Sequence, residues 1–139
     1  MMVPLNFICF IVLVHTIADF AVQTRWMAEN KSKSIKALTA HIITYFITIC
    51  LALMLISTYR ASSDDLRWAV FSDMYYCSIK YALFNALLHF IIDFMTSRLT
   101  SYFWSKTNRY AFFLTIGFDQ AAHVITLMTT YWMLNVNTF

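Results

Sequence analysis

Seven ionisable side chains lie within segments of this chain that are otherwise apolar enough to sit in lipid. They comprise all four histidines and three of the seven acidic residues: His15, Asp19, His41, His89, Asp93, Asp119 and His123. An ionisable group in hydrocarbon is energetically costly unless it is paired or bound to a metal, so such groups usually mark a functional site. The sequence therefore predicts a site built from histidine and aspartate inside a membrane protein.

The spacing of these residues predicts that they converge. Three pairs lie four residues apart: His15 with Asp19, His89 with Asp93, and Asp119 with His123. Residues with this spacing share one face of an α-helix. If successive helices alternate in direction, each Asp lies nearer the cytoplasm and each His about one turn deeper, with His41 entering from the start of the second helix. We expect all seven groups to meet in the inner half of the bilayer.

Imidazole and carboxylate ligands suit a divalent transition metal, with Zn expected first and Mn or Fe as alternatives. Seven candidate ligands exceed the need of one tetrahedral ion, so one or two ions are predicted, with two slightly favoured. Asp19, His41 and Asp93 are also candidates for acid–base catalysis. The alternative is a hydrogen-bonded cluster that only sets the register of the helices.

The elements that must position these groups are membrane helices. The chain is 60% hydrophobic and only 12% charged, about half the charge of a soluble domain, which argues against a soluble protein. Four stretches reach the length of roughly 20 residues needed to cross a bilayer: 3–24, 37–59, 76–96 and 110–134. We predict an all-α, polytopic membrane protein with four transmembrane helices in a single domain, residues 1–139.

The charges of the connections predict the topology. The connection between the first two stretches carries Arg25, Lys31, Lys33 and Lys36 against Glu29, and the one between the last two carries Arg98, Lys106 and Arg109. Basic loops stay in the cytoplasm, so both termini are expected outside a bacterial inner membrane. The first stretch lacks a basic leader and contains polar residues, so we expect it to be retained rather than cleaved as a signal peptide.

A short internal repeat indicates two related hairpins. The segments 14–20 and 88–94 both carry the pattern HxIxDF after an aliphatic residue. Each is followed one helix later by an alanine and a histidine, at Ala40-His41 and Ala122-His123. Both copies run from outside to inside in the predicted topology, which makes this a parallel repeat.

These motifs resemble those of a family of small, largely uncharacterised membrane proteins of bacteria and their phages. The matching residues are His15, Asp19, Phe20, Gln23, Lys31, His41, His89, Asp93, Asp119, Gln120 and His123. In style the motifs are also similar to those of membrane-bound metal-dependent hydrolases. That resemblance implies metal-dependent hydrolysis, and the small size would suit a phage-encoded protein.

Three functions remain open from the sequence. The first is a membrane metallohydrolase acting on a phosphoester, pyrophosphate or acyl ester, with membrane lipids as partners and a lipid phosphate as substrate. The second is a metal or proton transporter, although the scarcity of Gly and Pro argues against the broken helices of transporters. The third is a non-enzymatic interaction protein, such as a phage factor, with a structural metal. No nucleic-acid partner is indicated, and a homo-oligomer is compatible with each.

Overall fold

The computed structural model describes residues 3–63 and 68–134, and these residues contain no strand. The helices are α1 (Leu5–Thr16), which continues through a π-helical turn (Ile17–Ala21), α2 (Arg25–Asn30), α3 (Ile35–Ser63), α4 (Trp68–Ser105) and α5 (Arg109–Met133). The predicted all-α class is therefore confirmed for the described part of the chain.

Three of the described helices are long and apolar enough to cross a membrane. The candidate spans are Ile35–Tyr59, Ser72–Ser105 and Arg109–Met133. The first predicted span is apolar but shorter, because α1 has 12 residues and the π turn adds 5. The composition thus supports a membrane protein with three clear candidate spans and a fourth, shorter apolar helix.

The helices extend beyond the apolar stretches that predicted them. At 38 residues, α4 is ~57 Å long, whereas a bilayer core is only about 30 Å thick. Mean hydropathy detects only the apolar part of a helix, whereas helical hydrogen bonding continues past that part into polar sequence. The short helix α2 lies in a basic connection, so a prediction based on apolar stretches does not include it.

Within the bundle, α4 packs extensively against both α3 and α5, while α1 contacts α3 and α5 less extensively. The core between them is formed by apolar and aromatic side chains: Phe7, Ile11, Val14, Ala18, Tyr45, Ile49, Leu53, Tyr81, Leu127 and Tyr131. Large apolar side chains such as Leu55 and Phe118 remain exposed on the outer faces, where lipid would cover them. Because α3 packs more closely on α4 than on α1, the bundle does not divide clearly into two hairpins.

Two local structures position the polar residues. In the π turn the Val22 N–H donates to the Ile17 carbonyl at 2.9 Å, so this turn holds one residue more than an α-helical turn. The following helix α2 is capped by Thr24, whose Oγ1 accepts from the Met27 N–H at 3.3 Å. Met27 is buried and α2 packs on α3. This packing brings Lys31, the residue that follows α2, towards the bundle.

Candidate metal centre

The structure brings all seven predicted groups into one region of the bundle. This region lies towards the end at which α1 is joined to α2 and α4 to α5, which we call the connection end. Six of the seven residues are buried, and the Asp119 side chain is 14% exposed. The predicted convergence of the histidines and aspartates is therefore seen among the described residues.

Four ligand atoms from three segments, the π turn, α3 and α4, form the tightest part of the cluster. His41 Nε2 lies 3.1 Å from Asp19 Oδ1, 3.2 Å from His89 Nε2 and 3.3 Å from Asp93 Oδ2. His89 Nε2 lies 3.5 Å from the same Asp19 oxygen and 3.7 Å from the same Asp93 oxygen. We call Asp19, His41, His89 and Asp93 the four-donor group.

These distances fit a metal ion. Tetrahedral zinc with ligands at about 2.0–2.2 Å requires ligand atoms about 3.3–3.6 Å apart, which is close to the separations in the four-donor group. In addition, Asp19 Oδ1 is buried and has no hydrogen-bond partner among the described residues. A buried carboxylate oxygen without a hydrogen-bond donor is costly, and a cation would satisfy it. The buried cluster could therefore hold a metal ion.

A second group shares Asp19 with the first. Ligand atoms of Asp19, Asp119 and His123 lie within 4.8 Å of one another. His123 Nε2 is 3.4 Å from Asp119 Oδ1 and 3.3 Å from Asp93 Oδ1, so Asp93 faces His123 with one oxygen and the four-donor group with the other. The two groups are adjacent and are joined through two carboxylates.

Lys31 is a member of the cluster that the sequence assigned only to the basic loop and to the family resemblance. Its Nζ lies 2.7 Å from Asp93 Oδ2 and 3.8 Å from Asp19 Oδ1. Burial by itself would lower the pKa of Lys31, but the carboxylates of Asp93 and Asp19 outweigh burial and raise that pKa. Lys31 therefore contributes a positive charge to a region that holds three carboxylates.

Gln120 links three members of the cluster. Its Nε2 donates to Asp19 Oδ2 and to Asp119 Oδ2, both at 3.0 Å, which turns its Oε1 towards His15 Nε2 at 3.4 Å. Because an amide oxygen only accepts, His15 must carry its proton on Nε2 to make this bond. Thr96 donates from Oγ1 to Asp119 Oδ1 and holds that carboxylate from the other side.

His15 has a different place from the other three histidines. It lies outside both groups of converging ligand atoms, although its ring is 5.2 Å from that of His123. The spacing of four residues predicted that His15 and Asp19 share a face of a regular α-helix. Instead the π turn begins after Thr16, and Gln120 bridges the two side chains.

Aromatic packing holds the central imidazole. His89 is stacked between Tyr45 and His123, with ring centroids 4.0 Å away on each side. The Nδ1 atoms of His15, His41 and His89 have no hydrogen-bond partner among the described residues. The orientation of these rings is therefore set by packing and by the Nε2 contacts, rather than by a hydrogen bond at Nδ1.

A cavity of about 500 Å³ leads to the cluster from the connection end. Asp19, Asp93 and Asp119 lie on its wall, together with Gln120 and Lys31. The carboxylates are thus reachable by a ligand that enters between α2, α4 and α5.

A helical bundle with apolar outer faces and a buried His/Asp cluster is typical of membrane proteins that contain an internal polar site. A family model described as "Protein of unknown function (DUF3307)" matches residues 7–139, and the chain belongs to that family. No curated protein and no solved structure matches the chain. The match covers nearly the whole chain, in agreement with the resemblance to an uncharacterised family.

Proposed function

We propose that this protein is an integral membrane metal-dependent hydrolase whose metal binds in the four-donor group. The observation that carries the proposal is the convergence of Asp19 Oδ1, His41 Nε2, His89 Nε2 and Asp93 Oδ2. Each of the two imidazole nitrogens lies 3.1–3.7 Å from the other three atoms, and the Asp19 oxygen has no hydrogen-bond partner among the described residues. A cluster of this shape, rich in carboxylate and imidazole and open to a cavity, is typical of hydrolytic metal sites.

The charge of the cluster supports a divalent ion. Three carboxylates and the Lys31 ammonium leave two negative charges in excess when the histidines are neutral. Uncompensated charge is expensive inside a bilayer. One divalent cation would restore neutrality without requiring any imidazole to be protonated.

We propose zinc as the metal, with manganese or iron as alternatives, because two imidazoles and two carboxylates suit all three. One ion would occupy the four-donor group. A second ion could use Asp19, Asp119 and His123, in which case Asp19 would be shared, as carboxylates are in two-metal hydrolases. His15 would then act through Gln120 rather than as a ligand.

The residues of the site have distinct roles in this proposal. The four-donor group would hold a divalent metal, which would supply Lewis-acid chemistry and an acidified water for attack on a phosphoester, pyrophosphate or acyl ester of a lipid. Asp93 is placed to accept a proton and pass it to His123, which its Oδ1 faces at 3.3 Å. His41 is the alternative acid, and Asp19 contributes charge and orientation.

For the membrane arrangement we propose four crossings, of which α1 with its π turn is the shortest. The two HxIxDF segments would belong to two repeated hairpins, both termini would lie outside the bacterial inner membrane, and the connection end would face the cytoplasm. The site would then be reached from the inner leaflet. The abundance of basic residues at the connection end supports this orientation.

The first experiment is elemental analysis of the detergent-purified protein, coupled to a hydrolysis assay on short-chain lipid phosphates, pyrophosphates and carboxyl esters. His89→Ala should lose the metal, whereas the control Asn85→Ala, one turn earlier on the same buried face of α4, should keep it. Monodispersity on size exclusion chromatography confirms that both variants are folded.

The outcomes separate the candidate functions. One or two metal equivalents with metal-dependent turnover support the hydrolase. Stoichiometric metal without turnover of any substrate would overturn the enzymatic proposal in favour of a structural metal. A wild-type protein that stays metal-free after reconstitution would overturn the metal site itself and favour a hydrogen-bonded or proton-conducting cluster.

A further inference from the structure

We propose that the cavity beside the cluster binds the phosphate group of an anionic amphiphile, with Lys33 and Ser97 as residues that select the phosphate. This inference rests on the proposed function and narrows it, because it chooses phosphate-bearing lipids over neutral acyl esters. The two residues lie on opposite elements, Lys33 between α2 and α3 and Ser97 on α4, and both line the cavity.

The first observation is the distribution of positive charge. Lys31 is already engaged by Asp93 at 2.7 Å. Lys33 is exposed, lines the cavity and makes no ion pair among the described residues. Its ammonium is therefore available for an anion that enters the cavity, whereas a neutral ester would give it no partner. Lys36, in the same connection, does not line the cavity.

The second observation is a row of hydroxyls on α4. Ser97, Ser101 and Ser105 line the cavity at a spacing of four residues, which places them on one face of the helix, and Thr100, three residues after Ser97, lines it beside them. Ser97 is only 8% exposed, and its Oγ has no hydrogen-bond partner among the described residues. A buried hydroxyl without a partner is a donor that a phosphate oxygen would satisfy.

The same cavity contains an acceptor for a second polar group. Gln23 lines the cavity, and its Oε1 is buried without a hydrogen-bond partner among the described residues. An amide oxygen only accepts, so it pairs with a hydroxyl rather than with a phosphate oxygen. A headgroup that carries both a phosphate and a hydroxyl would therefore satisfy Ser97 and Gln23 together.

The third observation is an apolar rim. Phe20, Trp104, Phe112 and Ile116 also line the cavity, and Phe20 and Trp104 are 54% and 53% exposed on the surface that lipid would cover. A volume of about 500 Å³ exceeds the need of a phosphate ion and falls in the range of pockets for small organic ligands. The cavity therefore matches a phosphate headgroup with the start of a hydrocarbon chain.

The phosphate would lie near three carboxylates, which would repel it in the absence of further positive charge. The metal of the proposed function would remove that repulsion, because a divalent ion can contact carboxylates and phosphate together.

The test is a binding titration on the protein as purified, with its metal content measured, using dihexanoyl phosphatidic acid, dihexanoyl glycerol and inorganic phosphate. The wild type should bind phosphatidic acid more tightly than the diglyceride. Lys33→Gln should weaken the binding of phosphatidic acid by about fivefold, the usual effect of one basic residue near an anionic headgroup. The matched control Lys36→Gln should change it less than about twofold, because that side chain is outside the cavity.

Ser97→Ala provides a second, independent variant. Loss of one hydrogen bond should weaken the binding of phosphatidic acid by about fivefold, with no change in the binding of the diglyceride. If inorganic phosphate binds as tightly as phosphatidic acid, the site takes free phosphate and the apolar rim is not part of it. Equal binding of the diglyceride and phosphatidic acid, or equal effects of Lys33→Gln and Lys36→Gln, would overturn the inference.

The titration can overturn the phosphate site without overturning the hydrolase proposal, and the hydrolysis assay can do the reverse. Phosphate-selective binding without hydrolysis would contradict the enzyme and leave the phosphate site standing. Hydrolysis of carboxyl esters by a protein that does not prefer phosphate would do the opposite.

Discussion

The polar residues at the connection end differ from a second polar network further along the same helices. That second network, which we call the paired network, consists of Ser57, Ser78, Tyr81, Asn85 and Thr130. The Tyr81 hydroxyl donates to the Leu127 carbonyl, Asn85 Nδ2 donates to the Tyr81 carbonyl, and Thr130 donates to Asn85 Oδ1, each at 2.9 Å. Every member is uncharged, and each has a hydrogen-bond partner.

The cluster at the connection end has the opposite properties. It is ionisable, carries an excess of negative charge when its histidines are neutral, and leaves buried atoms of Asp19, His41 and His89 without hydrogen bonds among the described residues. Neutral, fully paired groups are sufficient to set the register of membrane helices at low cost. Because the paired network already does this one turn from His89, the charged cluster needs another explanation, and metal binding supplies one.

The largest expected effect comes from Asp93→Asn. Asp93 contacts Lys31, His41, His89 and His123, and the neutral amide keeps its shape but not its charge. We expect metal affinity to fall by at least about 100-fold, because loss of a ligand exceeds the 10–100-fold typical of outer contacts. Competition with a chelator measures this. Undiminished metal binding would remove the distinction between the two regions.

A smaller loss is expected from Gln120→Met, which keeps the volume of the side chain and removes its hydrogen bonds to Asp19, Asp119 and His15. Outer contacts of this kind are worth about 10–100-fold in metal affinity. The same chelator competition measures the difference, with Gln23→Met as the control. Gln23 lines the cavity, and its Oε1 has no hydrogen-bond partner among the described residues. Equal effects of the two substitutions would contradict the assigned role of Gln120.

The paired network should respond in stability and not in metal content. Thr130→Val leaves Asn85 Oδ1 without its donor. Hydrogen bonds between membrane helices contribute about 0.6 kcal/mol on average and at most about 1.7 kcal/mol, so unfolding should become easier by an amount in that range. Denaturation in mixed micelles tests this, and elemental analysis of the same sample should show unchanged metal. A loss of metal would show that the two regions are coupled.

The smallest effect is expected from Ser57→Ala. The Ser57 hydroxyl donates to Leu53 in its own helix, and its separation from Ser78 across the helix pair is 3.5 Å. A contact of that length is weak, so we expect a change of about 0.5 kcal/mol or less in unfolding free energy. The sensitivity of the denaturation assay can be set by this variant. An effect as large as that of Thr130→Val would place more stability in the Ser57–Ser78 contact than its geometry supports.

The sequence predicted the parts of the molecule that depend on composition and helical spacing. The three longer apolar helices and the convergence of Asp19, His41, His89 and Asp93 follow from these. The entry of Lys31 into the cluster was missed, because a lysine in a basic connection is indistinguishable from a topology signal until α2 is placed. The hydrogen bond between Gln120 and His15 depends on how α1 and α5 face each other, which the spacing within one helix does not report.

The π turn at Ile17–Ala21 makes chain length, rather than residue identity, a constraint on the first helix. Phe7 and Ile11 before the turn and Ala18 within it are buried in the apolar core, while the adjacent Asp19 is buried in the cluster. Each residue of an α-helix turns the chain by about 100°, so the extra residue of the turn sets the rotation of the first helix relative to the chain that follows. Conservative substitutions at the lipid-facing positions of this turn would leave the fit intact, whereas deletion of one residue would rotate the first helix away from its core or Asp19 away from the histidines.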